Sequence, residues 1–413
     1  MKILIASIIV VFAAFCVGIP HKRDANNNYH GNDDNITDVI KHENYRAENY
    51  TVLTFDGYLL DLIRVSKKTH ENHEEQDSKP AVLLMHGLSG SAHDFVAGGA
   101  THGLAYKLAD NGLDVFLGNA RGSRYGLRHL HLNPKKDGHF WRYCWDDIGI
   151  RDLPAIIDKI LKITGQNQIS YVGYNQGNTI FYVMASVKPE YNAKVSKMVA
   201  LAPLAYIQHA QHPLMTQILQ NKDSKSWVIK NIGQHEFSPS NDVVAKQQNE
   251  CIQHGIERRV CEDNYFILNN ISDEIDQDVA LEIVDSEPRG CTSKQLLHYA
   301  QIMETGRFAP YASVTDDDDS SSSDDSDSST SQSSEEGNSE DEYRLERVTV
   351  PHYIFDVPRD NWYSPEDLNK LKNRLPSVEK VYEFPQYYSN VDLLLAKDAH
   401  HRVHEKIVDI LKK

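Results

Sequence analysis

The sequence predicts an α/β chain, with a doubly wound, mostly parallel sheet covered on both faces and an inserted, mainly helical cap. Three observations predict it. Short continuous apolar runs recur along the chain, as expected of strands buried on both faces. Helix-like stretches separate these runs, so strand and helix alternate. Between Tyr206 and about Arg289 the alternation stops, which marks an insertion. At 413 residues the chain is long enough for such a core. The division expected is a first core part over 37–205, a cap over 206–289 and a second core part over 290–413.

The amino terminus stands apart. Lys2 precedes an apolar run from Ile3 to Ile19, and polar His21-Lys22-Arg23-Asp24 follows it. One positive charge, a short apolar run and small residues at its end form a secretory signal. The run falls short of the ~20 residues a membrane span needs. Residues 1–20 are therefore expected to be removed, leaving a mature chain without a transmembrane segment. Residues 21–36 are polar and expected to be disordered. Secretion makes Asn35-Ile36-Thr37, Asn49-Tyr50-Thr51 and Asn270-Ile271-Ser272 candidate N-glycosylation sites.

The ordered chain opens with two strands, Tyr50–Phe55 and Tyr58–Val65, joined by the turn signal Asp56-Gly57. Pro80–Met85, Leu113–Gly118 and Ile169–Gly173 are apolar enough for central strands. Helical patterns over roughly Gly103–Asn111 and Asp147–Thr164 connect them. Val350–Phe355 and the more polar Val378–Phe384 read as closing strands, and His401–Lys413 as a final helix.

The motif that carries chemistry is Gly173-Tyr174-Asn175-Gln176-Gly177, placed between a buried strand and the helical run from Asn178. Strand, Gly-x-nucleophile-x-Gly, helix is a nucleophile elbow, whose central residue is driven to positive φ. Asparagine accepts that backbone conformation better than most residues. Its amide nitrogen lone pair is delocalised into the carbonyl, so it is no nucleophile.

Around this motif the chain resembles the acid lipases, the gastric and lysosomal lipases and their insect relatives. Matching stretches include Phe55-Asp56-Gly57-Tyr58, Leu84-Met85-His86-Gly87-Leu88, Gly118-Asn119-Ala120-Arg121-Gly122 and Asp152-Leu153-Pro154-Ala155. Further on come Ala200-Leu201-Ala202-Pro203, Lys294 to Tyr299 and Asp392 to Ala399. The resemblance implies an α/β-hydrolase fold and a Ser…Asp…His triad at positions 175, 360 and 390, which here are Asn175, Asp360 and Asn390. It implies oxyanion-hole donors at the backbone N–H groups of Leu88 and Gln176. An asparagine at 390 cannot take a proton near pH 7 and pass it to a leaving group. The expected function is thus a secreted, non-catalytic lipase homologue with a lipid-binding, storage or yolk-type role, held outside cells, in eggs or in lysosome-related compartments. A rewired, weak esterase using Ser89 or Ser91 with His400, His401 or His404 is the enzymatic alternative. A partner-binding signalling module is the third.

Thr315–Glu342 contains twelve acidic residues and no Lys or Arg, leaving net −4 of the chain's −16 elsewhere. A tract so poor in apolar residues is expected to be a disordered loop. Ser322, Ser323, Ser333, Ser334 and Ser339 each have an acid two residues on, a pattern suited to phosphorylation, and a phosphorylated tract could bind calcium. The acidity argues against nucleic-acid binding. Cys144, Cys251, Cys261 and Cys291 allow three full pairings. The proximity of Cys251 and Cys261 suggests a local disulfide, and Cys144, in an aromatic run, suggests a buried thiol. No cofactor or metal is expected, since His129, His131 and His139 lack a ligand spacing. A lipid or fatty-acyl ligand is the partner the resemblance implies.

Overall fold

A computed structural model describes residues 35–68, 79–285, 290–312 and 342–413. The expected signal segment and the five candidate phosphoserines lie outside the described residues. The strands are β1 (Tyr45–Leu53), β2 (Tyr58–Lys67), β3 (Ala81–Met85), β4 (Asp114–Gly118), β5 (Arg128–His129), β6 (Ile169–Tyr174), β7 (Val195–Leu201), β8 (His352–Asp356) and β9 (Val378–Glu383). They form one sheet in the order β1-β2-β4-β3-β6-β7-β8-β9, with the short β5 beside β2. β2 pairs antiparallel with β1 and with β4. From β4 to β9 every pairing is parallel.

Every residue of β3, β4 and β6 is buried. Side chains alternate between faces of a strand, and the core divides accordingly. Leu83, Met85, Phe116 and Tyr171 share one apolar cluster with helices Leu153–Thr164 and Gln176–Val187. Val82, Leu84, Val115 and Val172 share the other with helices Leu104–Asp110 and Glu405–Lys412. The chain leaves β3 for β4 on one side and returns to β6 on the other. That reversal makes the carboxyl ends of β3 and β6 the topological switch point, where open α/β sheets place their sites.

Three differences from the sequence reading have physical causes. β1 begins at Tyr45, five residues early, because an edge strand tolerates the polar run Tyr45–Asn49; the helix Ile36–His42 precedes it. β7 was not foreseen, since Ser196 and Lys197 interrupt its apolar pattern. Among the described residues the strand-free stretch runs from Leu201 to His352. It includes helix Ser293–Thr305, which packs on helices Pro213–Leu219 and Ser224–Asn231 and so extends the helical region beyond residue 289. Within that region a disulfide joins Cys251 to Cys261. Cys144 and Cys291 are free and buried.

Candidate active site

The elbow folds as its glycines dictate. A Cβ on Gly177 would stand 2.3 Å from the Met85 carbonyl oxygen, and one on Gly173 would stand 2.6 Å from Asn178 Oδ1. Only glycine lets β3, β6 and the following helix approach this closely. Asn175 sits between them at φ +49°, ψ −115°. Its backbone N–H donates to the Leu201 carbonyl at 3.0 Å. Asn178 Nδ2 braces the turn by donating to the carbonyls of Asn175 and Leu201 at 3.1 and 2.8 Å.

The Asn175 side chain turns back onto its own helix. Its Oδ1 accepts the Gln176 backbone N–H at 2.8 Å, the donor that the resemblance assigns to the oxyanion hole. Its Nδ2 is buried without a hydrogen-bond partner. The Gln176 side chain is held from the helical region, with Oε1 accepting from Gln295 Nε2 at 3.1 Å and Tyr299 Oη at 3.3 Å. In the loop after β3, Leu88 is buried and Ser89 takes φ +59° in a tight turn. His86 knits that turn to the loop after β4. Its Nδ1 meets the Gly87 carbonyl at 2.8 Å, and its Nε2 accepts the Ala120 N–H at 3.1 Å.

The loop after β4 is anchored in turn by Arg121, which is buried between two carboxylates. Its guanidinium donates to Asp152 Oδ1 at 2.6 and 2.9 Å and to Asp56 at 2.6 and 2.9 Å. Three stretches of the acid-lipase resemblance, Phe55–Tyr58, Gly118–Gly122 and Asp152–Ala155, thus meet at one ion network.

Asp360 follows β8 and is buried. Its Oδ1 accepts the Trp362 N–H at 3.0 Å. Burial pushes its pKa up to about 7 against that hydrogen bond, with a smaller contribution from Asp356. Asn390 is also buried, and it bonds toward the helical region. Its Nδ2 donates to Asn269 Oδ1 at 3.0 Å and its Oδ1 accepts the Val391 N–H at 2.9 Å. Ser389 Oγ donates to the Asn270 carbonyl at 3.1 Å, and Ser272 Oγ to Asp392 at 2.6 Å. The loop carrying position 390 is therefore fastened to residues 269–272.

Asn175, Asp360 and Asn390 each satisfy hydrogen bonds elsewhere, and none bonds another of the three. The alternative serines and histidines form no substitute dyad. Ser91 Oγ accepts the His93 N–H at the start of a short helix, and Ser89 Oγ is buried without a partner. His400 pairs with Lys107 Nζ at 2.8 Å, His401 with Glu405 at 3.1 Å, and His404 is buried. Asn269, the partner of Asn390, was invisible in the sequence, because only the packed helical region brings it there.

The candidate glycosylation sites divide. Asn35 and Asn49 are exposed. Asn270 differs: it is buried, and its Nδ2 donates to the Arg359 carbonyl, so a glycan there would have to displace that bond.

A parallel sheet with a strand–elbow–helix at its switch point, an oxyanion-type turn after β3 and an acid after β8 defines an α/β-hydrolase. Two family profiles match accordingly: "Partial alpha/beta-hydrolase lipase region" over residues 36–99 and "alpha/beta hydrolase fold" over residues 80–249. Lipase 1 of Drosophila melanogaster is 32% identical over 92% of this chain and 80% of its own length. Lipase 3 of the same organism is 30% identical over 89% and 90%. Human gastric triacylglycerol lipase is 28% identical over 92% and 91%. The chain belongs to this lipase family.

Proposed function

We propose that this protein is a secreted lipase homologue that binds acyl lipid without hydrolysing it and serves storage or carriage. The observation that carries this reading is the 2.8 Å bond from the Gln176 N–H to Asn175 Oδ1. The residue that replaces the nucleophile also fills the donor that would stabilise a tetrahedral oxyanion. Loss of a single such donor costs on the order of 10²–10³ in rate, and the missing serine and histidine remove the attacking atom and its base as well. The residual ~10³ to 10⁴-fold enhancement that an oxyanion hole can leave after triad loss is thereby reduced too.

Binding is supported by the buried, partnerless Nδ2 of Asn175, a donor suited to the carbonyl or carboxylate oxygen of an acyl ligand. Storage is supported by the acidic serine tract and by the accessible sequons at Asn35 and Asn49. Native mass spectrometry of the purified protein tests the binding. Copurified fatty acid or glyceride is expected, and a chain free of lipid, even after incubation with oleate, would overturn carriage. High abundance in eggs would support storage, and scarce expression there would argue against it.

A further inference from the structure

Three ligand-type side chains outside the elbow converge in the helical half of the molecule. Cys144 precedes the short helix Trp145–Asp147, Asp146 lies in it, and His298 comes from helix Ser293–Thr305. One donor atom from each lies within 4.8 Å of the other two. Cys144 and His298 are buried, while the Asp146 side chain keeps 14% of its surface exposed, which leaves a route for an ion.

The decisive detail is the histidine. His298 Nε2 meets the Ala309 carbonyl at 2.9 Å, which places the ring proton on Nε2. The lone pair is then on Nδ1, a buried atom with no hydrogen-bond partner, 3.8 Å from Asp146 Oδ2. Stacking on Trp145, with ring centroids 3.6 Å apart, fixes the ring plane. A buried imidazole acceptor left without a donor costs free energy. One nitrogen on a backbone carbonyl and the other aimed inward is the arrangement of a metal-bound imidazole. Asp146 is oriented too: Tyr343 Oη donates to Oδ1, and the Tyr311 N–H donates to Oδ2 at 3.0 Å. Burial keeps the His298 ring neutral, lowering its pKa to about 3, whereas burial and the charges of Asp146 and Asp147 push the Cys144 thiol up, so a bound ion has to displace that proton.

We propose that Cys144 Sγ, Asp146 Oδ2 and His298 Nδ1 form a zinc site. The mixed thiolate, imidazole and carboxylate set suits zinc rather than calcium or magnesium, which take oxygen ligands. Binding forms the S–Zn, N–Zn and O–Zn bonds, releases the Cys144 thiol proton to solvent and leaves every oxidation state unchanged. Water takes the fourth position, and the side chains close in by on the order of 1 Å to reach zinc-ligand distances. The spacing explains why the sequence hid the site, since two ligands lie two residues apart and the third more than a hundred residues on. Ala309, Tyr311 and Tyr343 belong to the two chain ends that border residues 313–341, so the ion would also pin those ends.

The full chain, stripped by a chelator and dialysed, is titrated with zinc and separately with cobalt. One tightly held equivalent of zinc is expected, with a thiolate-to-cobalt charge-transfer band in the near ultraviolet. Cys144→Ser should abolish the band, and both Cys144→Ser and His298→Gln should weaken zinc binding at least ~10-fold. The proposal is overturned if the wild-type chain retains no equivalent, if cobalt binds without the thiolate band, or if both folded variants bind zinc as the wild type does. The band in the wild-type chain decides the matter even if a variant fails to fold.

Discussion

Asn175 and Asp360 show how differently two positions of the candidate site are held. Asn175, at the position to which the resemblance assigns the nucleophile, takes a positive φ and caps the following N–H. Asp360 has an asparagine rather than a histidine at position 390, so no cationic partner offsets burial and its pKa rises to about 7. Between about pH 4 and pH 7 the folded chain therefore holds a proton that the unfolded chain has released. Stability falls as pH rises through that window, at up to ~1.4 kcal/mol per pH unit for this group, and levels off above it. The buried His212 and His352, whose pKa values burial lowers to about 4, act in the opposite sense, but equally in any variant of position 360. Asp360→Asn keeps the acceptor for Trp362 and removes the titration. Its melting temperature should match the wild type near pH 4 and exceed it at pH 7, by the equivalent of about 2–4 kcal/mol. Coincident melting curves across that range would contradict the account of this residue.

The elbow is the element that the sequence revealed best, and its glycines explain why. Gly173 and Gly177 are required by contacts of 2.6 and 2.3 Å, so their spacing reports the geometry directly. Gly177→Ala should destabilise the protein by about 3 kcal/mol or more, because the new methyl meets backbone rather than a movable side chain. Thermal denaturation checks this, and a melting temperature within a degree of the wild type would refute the close approach. Strands buried on both faces were equally legible, since Ala81–Met85 and Asp114–Gly118 are nearly pure apolar runs. Val195–Leu201 escaped notice because its first half carries Ser196 and Lys197, both only partly buried. The bond from Asn175 Oδ1 to the next N–H was hidden for a different reason. It depends on a side-chain rotamer and a backbone turn, neither of which residue identity fixes.

Across the whole molecule, the acid-lipase resemblance proposes the positions of the site, while the tertiary packing determines what each touches. Asn390 bonds Asn269, and Gln176 bonds Gln295 and Tyr299, all from the helical region that interrupts the sheet. That region and the core form a continuous support around the elbow. Apart from Glu342, the acidic tract lies outside the described residues. Its described flanks are closed by the Tyr343 N–H donating to the Phe308 carbonyl at 2.8 Å. Replacing residues 314–341 with a short Gly/Ser linker should leave the melting temperature within about 2 °C, because loop-closure entropy changes slowly with length. A large loss of stability would mean that the tract contributes to the folded core.

The central claim is that hydrolysis was lost at two independent positions of an otherwise retained lipase framework. The most direct measurement is esterase turnover on short and long acyl esters, with labelling by a serine-reactive phosphonate. It should be made on the wild-type chain, Asn175→Ser, Asn390→His and the double variant. The account predicts turnover and labelling in the double variant alone, since the serine supplies the attacking oxygen and the histidine its base, with Asp360 in place to orient that histidine. Turnover with covalent labelling by the wild-type chain would contradict it.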